Sequence, residues 1–168
     1  MASSRSGNQS YVSEGITDFY DCMLDGSYEG FFPDYEAYVK RQVLRVKRFY
    51  KGGSVLSIGC GTGDIEVRLP FPVVCYDIHD AAKVLHPELD FRYEWPDEKF
   101  DLVLCIGSVL PYVPTSEQKH FVQRLLDATT ESGMVLITGL NNKGVEQDIV
   151  VEHIYPPTYP IHPKIKVI

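Results

Sequence analysis

Residues 54–63, Ser-Val-Leu-Ser-Ile-Gly-Cys-Gly-Thr-Gly, constrain this chain more than any other stretch. A short apolar run, Val55–Ile58, opens into three alternating glycines, Gly59, Gly61 and Gly63, with Asp64 behind them. A run of that length reads as a buried strand. Glycine then lets the main chain leave the strand in a sharp turn and pass close to a ligand. Fourteen positions beyond Gly63, a second apolar run, Val73-Val74-Cys75-Tyr76, ends in Asp77. A carboxylate at a strand end beside such a turn suits the hydroxyls of a ribose. The pair predicts a site for a cofactor that contains a nucleoside.

Spacing narrows the cofactor. Dinucleotide folds use G-x-G-x-x-G, whose helix N-terminus faces a pyrophosphate. Here the pattern is G-x-G-x-G, and Asp64 at the next position would compete with a phosphate. A nicotinamide-dependent enzyme is set aside on that ground. A cofactor with a positive or neutral centre is expected.

The segments VLSIGCGTG (residues 55–63) and YDIHD (76–80) resemble the first motif and the following acidic motif of class I S-adenosylmethionine-dependent methyltransferases. FDLVLCIGSVLPYV (100–113) is similar to the family's fourth-strand motif and ESGMVLIT (131–138) to its fifth strand. The resemblance spans about residues 35–140, with the motifs in the family's order. It implies a three-layer α/β/α sandwich on a mostly parallel, Rossmann-like sheet, with S-adenosylmethionine as cofactor. The main chain of Gly59, Cys60 and Gly61, turned by Gly63, would line the methionine part. Asp77 would grip both ribose hydroxyls, Ile78 would pack on the adenine, and the main chain at Ile106-Gly107 would hold the ammonium.

Two departures from the family pattern stand out. Ser57 occupies the place where the family usually carries Asp or Glu to help hold that ammonium. Trading a charge-assisted hydrogen bond for a neutral one weakens binding by about 1–2 kcal/mol. The adenine side is also short. Glu94 and Trp95 either serve there, as acceptor for the exocyclic amine and as stacking ring, or are plain loop residues.

The methyl acceptor is less constrained. Ile106-Gly107-Ser108 matches neither the Asn/Asp-Pro-Pro-Tyr pattern of nucleobase amino-group methyltransferases nor the aspartate of ribose 2′-O-methyltransferases. A small-molecule or protein acceptor is expected. His153, Tyr112 and Glu152 are candidate bases, each with a structural or surface role as its alternative. Tyr20, Tyr28, Phe31, Phe32 and Tyr35 either form an aromatic lid, with Tyr28 near the cofactor's carboxylate, or plug the sheet edge. The rival to an enzyme is a catalytically inactive, methyltransferase-like partner or activator subunit. Ser57, the short adenine side and a compact tail are what keep it open.

Charge and composition set further bounds. The 168 residues carry a net charge of −7, which argues against a generally basic nucleic-acid binder. The one basic cluster is Lys40, Arg41, Arg45, Lys47, Arg48 and Lys51 in a predicted helix. It is either a solvated face or a patch for a phosphate-bearing substrate, RNA or an acidic partner, and it is the one candidate patch for nucleic acid. No run is long enough to span a membrane, and the polar N-terminus lacks a secretory apolar core. Cys22, Cys60, Cys75 and Cys105 form no C-x-x-C pair and no metal-ligand spacing. A reduced, cytoplasmic protein without a metal site is expected.

Along the chain, residues 1–13 are expected as a disordered leader and 14–168 as one domain. Within it, 14–53 would be lid and helix, 54–140 the cofactor-binding core and 141–168 the tail. Val39, Val43, Val46 and Tyr50 predict a helix opened by Pro33-Asp34 and stopped by Gly52-Gly53. Strands are predicted at Val55–Ile58, Val73–Tyr76, Leu89–Tyr93, Asp101–Ile106 and Met134–Thr138. Short helices are expected at Asp64–Leu69 and Asp80–Leu85, cut by prolines. Thr115 and Gln118 match a capping box for a helix ending near Gly133. Two short tail strands, Ile149–Tyr155 and Lys164–Ile168, would complete the sheet, and in the segment between them Pro156, Pro157, Pro160 and Pro163 exclude regular pairing.

Overall fold

Valines at helical spacing build the first helix, α1 (Tyr35–Phe49), which buries Val39, Gln42 and Val46 and packs Val46 against the sheet. In the computed structural model, residues 34–107, 109–140, 146–154 and 162–167 are described. The leader, Cys22 and the aromatic residues from Tyr20 to Phe32, Tyr28 among them, lie outside the described residues. α1 ends before Gly52 and Gly53, whose φ angles of 99° and 89° suit glycine. A side chain at Gly53 would run into the Asp101 carboxylate, which accepts the Ser54 N–H at 2.8 Å and anchors the entry to the sheet.

The apolar runs become the strands β1 (Val55–Ile58), β2 (Val74–Tyr76), β3 (Asp90–Arg92), β4 (Phe100–Cys105) and β5 (Thr129–Leu140). These five pair in parallel, and β6 (Glu146–Ile154) and β7 (His162–Val167) add antiparallel. The spatial order is β3-β2-β1-β4-β5-β6-β7. One sheet face packs Val55, Cys75, Leu104 and Leu136 against Val46 of α1 and Ala82 of α2 (Ala81–Leu85). The other packs Leu56, Ile58, Val103 and Val135 against Phe121 and Leu125 of α3 (Thr115–Asp127). Strand residues alternate between the two cores because successive side chains point to opposite faces. Full burial of each such side chain contributes about 1.5–3 kcal/mol. The result is the expected three-layer, mostly parallel α/β/α arrangement.

Several local expectations are corrected. The helix after β1 shrinks to a single 3₁₀ turn, Glu66–Arg68, because Pro70 and Pro72 leave no room for a further turn. Thr115 does not cap α3. Pro114 holds that place, and Gln118 Nε2 donates instead to the carbonyls of Val113 (3.1 Å) and Leu110 (3.3 Å). α3 stops at Asp127, and β5 begins well before Met134, with a register shift against β4 between Phe100 and Leu102. Pro163 sits inside β7, in register with His153. Proline is tolerated there because β7 is an edge strand.

Register also corrects the candidate base in the tail. β6 runs against β5, with Glu146 opposite Leu140 and Glu152 opposite Met134. Glu152 and His153 therefore stand level with the beginning of the parallel strands, at the end of the sheet away from the glycine turn. Neither is placed to act there. Among the described residues no helix is long and apolar enough to cross a membrane, and no His/Cys/Asp/Glu group is arranged to hold a metal.

Candidate functional site

The chain winds outward from β1 to β2 and β3, then returns to β4 on the other side of β1. That reversal opens a crevice at the carboxyl ends of β1 and β4, where open α/β sheets place ligands. The glycine turn lies there. Gly59, Gly61 and Gly63 have φ angles of 74°, 59° and 75°, a region that disfavours residues with a Cβ. Gly59 N–H donates to the Tyr76 carbonyl at 2.8 Å and Cys60 N–H to the same oxygen at 3.3 Å, which ties the turn to the end of β2.

Glycine is required at two of these positions by the protein's own packing as well. A Cβ on Gly59 would lie 2.6 Å from a Val109 methyl, and one on Gly63 would lie 2.7 Å from Leu89. The turn is thus pinned between the β4 loop on one side and the α2–β3 connection on the other.

Asp77 closes the turn. One carboxylate oxygen accepts the Gly61 N–H at 2.8 Å, and the other accepts the His79 N–H at 2.9 Å. Burial drives its pKa up, although the His79 and Gly61 N–H groups pull the other way. Each oxygen keeps a further lone pair, so the residue can still accept from a vicinal diol. Ile78, next in the chain, is 39% exposed and presents an apolar side chain beside that carboxylate.

Beneath the turn lies a residue the sequence reading missed. Ser57 Oγ donates to Glu66 Oε1 at 2.6 Å, and both residues are buried. Glu66 Oε2 has no hydrogen-bond partner among the described residues. Burial pushes this carboxyl up to about 7, with the Ser57 bond working against the shift and the charges of Asp64 and Asp77 adding to it. The available signal was a glutamate shortly after a glycine motif that lacks its usual carboxylate.

Asp64 does not serve a helix N-terminus as expected, since no regular helix follows. Its oxygens accept from Tyr35 Oη at 2.7 Å and Thr62 Oγ1 at 2.8 Å, and His86 Nε2 is 2.7 Å away. Tyr35 and His86 are thereby drawn to the turn, His86 from a stretch with no motif to announce it. On the β4 side, Ile106 is buried, and Gly107 (φ 76°) donates its N–H to Thr138 Oγ1 at 2.9 Å. The Tyr38 hydroxyl reaches over Gly107. Tyr112, 49% exposed, lies in the 3₁₀ turn Leu110–Tyr112 that follows the carboxyl end of β4.

The remaining candidates separate. Trp95 is set edge-on to Tyr76 (5.5 Å between ring centres) and Phe121 (6.1 Å), with the Arg124 guanidinium 4.0 Å over its ring. These contacts pack the half-buried ring against the α3 side of the core, and Glu94 beside it is exposed. Cys60, Cys75 and Cys105 are free and buried. The neighbouring Cys75 thiol and burial raise the Cys60 thiol well above its ordinary range, and burial pushes Cys105 up to about 12. Neither is a ready nucleophile. In α1, Lys40, Arg41, Lys47 and Arg48 face solvent, while Arg45 donates to Gln42 Oε1 at 2.9 Å.

No protein-family model and no curated protein sequence matches the chain. Solved structures do. The S-adenosylmethionine-bound amino pentose methyltransferase CalS10 from Micromonospora echinaspora is 14% identical, with a TM-score of 0.56 over 86% of this chain and 80% of that one. The N-methyltransferase NodS from Bradyrhizobium japonicum, in complex with S-adenosylhomocysteine, is 16% identical (TM-score 0.58; 72% and 71% covered). The 1,6-didemethyltoxoflavin N1-methyltransferase from Burkholderia thailandensis is 14% identical (TM-score 0.56; 91% and 72% covered). At such identities the likeness is one of fold. The chain has the Rossmann-like fold of class I S-adenosylmethionine-dependent methyltransferases.

Proposed function

We propose that this protein transfers a methyl group from S-adenosylmethionine to a small-molecule acceptor, with a nitrogen atom as the favoured target. The observation that carries the reading is the union of Gly61 and Asp77. A positive-φ main chain closes onto a buried carboxylate at the switch point of the sheet. The fold neighbours support the cofactor; the acceptors two of them name, an amino pentose and 1,6-didemethyltoxoflavin, support a small-molecule acceptor, and the N-methyltransferase and N1-methyltransferase names support nitrogen. A protein acceptor is the less favoured form of the same reading.

The residues fit this cofactor. Asp77 would accept from the ribose hydroxyls through its remaining lone pairs, and Ile78 would lie against the adenine. The main chain from Gly59 to Gly61 would follow the methionine part. When bound, the cofactor supplies a methyl carbon already activated by its sulfonium, so the protein's task is alignment and exclusion of water. Tyr112 is the remaining candidate for taking a proton from the acceptor. The three free cysteines among the described residues support a reducing, cytoplasmic setting.

Calorimetry with S-adenosylmethionine and S-adenosylhomocysteine tests the reading. Micromolar binding of both, lost in Asp77→Ala, is expected. Incubation with methyl-labelled cofactor and pooled small amines should then yield a labelled product. Absence of binding to the wild type would overturn the reading.

A further inference from the structure

Glu66 is 2% exposed, with one carboxyl oxygen held by Ser57 at 2.6 Å and the other without a partner among the described residues. It lies close enough to Cys60, Asp64 and Asp77 to interact electrostatically with all three. Those neighbours are acidic or neutral. A buried oxygen left open among acids costs stability unless something meets it. A positively charged donor answers both the open lone pairs and the crowded negative charge.

Resting on the methyltransferase reading above, we propose that Glu66 receives the ammonium end of the cofactor's methionine part, in place of the carboxylate that position 57 lacks. Ser57 and Glu66 act as one unit. The serine hydroxyl occupies Oε1, fixes the carboxyl at the end of β1 two residues before Gly59, and leaves Oε2 as the acceptor. A serine on the strand and a glutamate on the following turn thereby supply what a single acidic residue at 57 would. The weaker binding expected from Ser57 alone is offset.

Two probes isolate this contact. S-adenosylhomocysteine carries the ammonium, and 5′-methylthioadenosine has the same nucleoside without the amino-acid end. Wild type is expected to bind both in calorimetry. Glu66→Gln keeps the shape and the Ser57 hydrogen bond. It is expected to lose tenfold or more in affinity for S-adenosylhomocysteine and less than twofold for methylthioadenosine. Ser57→Asp added to Glu66→Gln should recover part of the loss. Should Glu66→Gln fold poorly, Ser57→Ala keeps the carboxyl but frees its anchor, and about a threefold loss confined to S-adenosylhomocysteine is expected. Equal affinity of wild type and Glu66→Gln for S-adenosylhomocysteine overturns the proposal, as does an equal loss for both probes. Failure of the wild type to bind either probe removes the methyltransferase reading itself.

Discussion

His86 Nε2 lies 2.7 Å from Asp64 Oδ1, a contact that clamps the turn after α2 to the end of the glycine loop. Tyr35, the first residue of α1, holds the other oxygen of the same carboxylate. Three separated segments thus meet on one aspartate. Burial works to raise the Asp64 carboxyl, but hydrogen bonds from Tyr35, His86 and Thr62 outweigh it and hold the group below its ordinary value.

A carboxyl depressed on folding stabilises the fold above its unfolded pKa, and that stability is lost as pH falls through the folded value. Asp64→Asn is expected to destabilise the protein at pH 7 by about 1 kcal/mol, a figure already reduced for solvent screening of a partly exposed group. The gap between variant and wild type should narrow below about pH 4. Urea unfolding at pH 7 and pH 3.5 checks both statements.

Glu66 behaves oppositely. Its folded value near 7 lies above the ordinary 4.5, so between those values the folded state holds a proton that the unfolded chain releases. Its contribution therefore falls as pH rises across this window, by roughly 3 kcal/mol in the ligand-free protein. Glu66→Gln should flatten that limb and melt above wild type at pH 8. Melting curves from pH 4.5 to pH 8 would show it, and identical profiles would contradict it.

Asp77 has a structural share besides its proposed part in the site. A carboxylate present only for a ligand could be removed at little cost in stability. Here it also satisfies the N–H groups of Gly61 and His79. Asp77→Ala is expected to lower the stability of the ligand-free protein by about 2 kcal/mol, from N–H groups left without acceptors. Asp77→Asn, which keeps one side-chain carbonyl, should lose less. Chemical denaturation of the three proteins without ligand makes the comparison.

Gly59→Ala meets two penalties, the positive φ of 74° and the Val109 methyl at 2.6 Å. Together they are expected to cost about 2–4 kcal/mol. Adding Val109→Ala should return only the steric part, leaving about 1–2 kcal/mol of backbone strain. A double-mutant cycle measured by denaturation separates them.

The primary sequence by itself determined the five parallel strands, their helical covers and the places of the glycine turn and Asp77. Those features are local. An apolar run of strand length, a glycine pattern and a terminal carboxylate sit within a few residues of each other, and their periodicity carries over into structure. Glu66 and His86 were not legible, because a salt bridge or buried hydrogen bond between residues 9 or 22 positions apart leaves no periodic trace. His153 read as a candidate base until strand register put it at the far end of the sheet, and the edge contacts of Trp95 with Tyr76 and Phe121 left no mark in the sequence either. Distance along the chain says nothing of such meetings. Only the folded sheet, by fixing which strand lies beside which and in what direction, decided which side chains face the crevice and which are spent on holding it together.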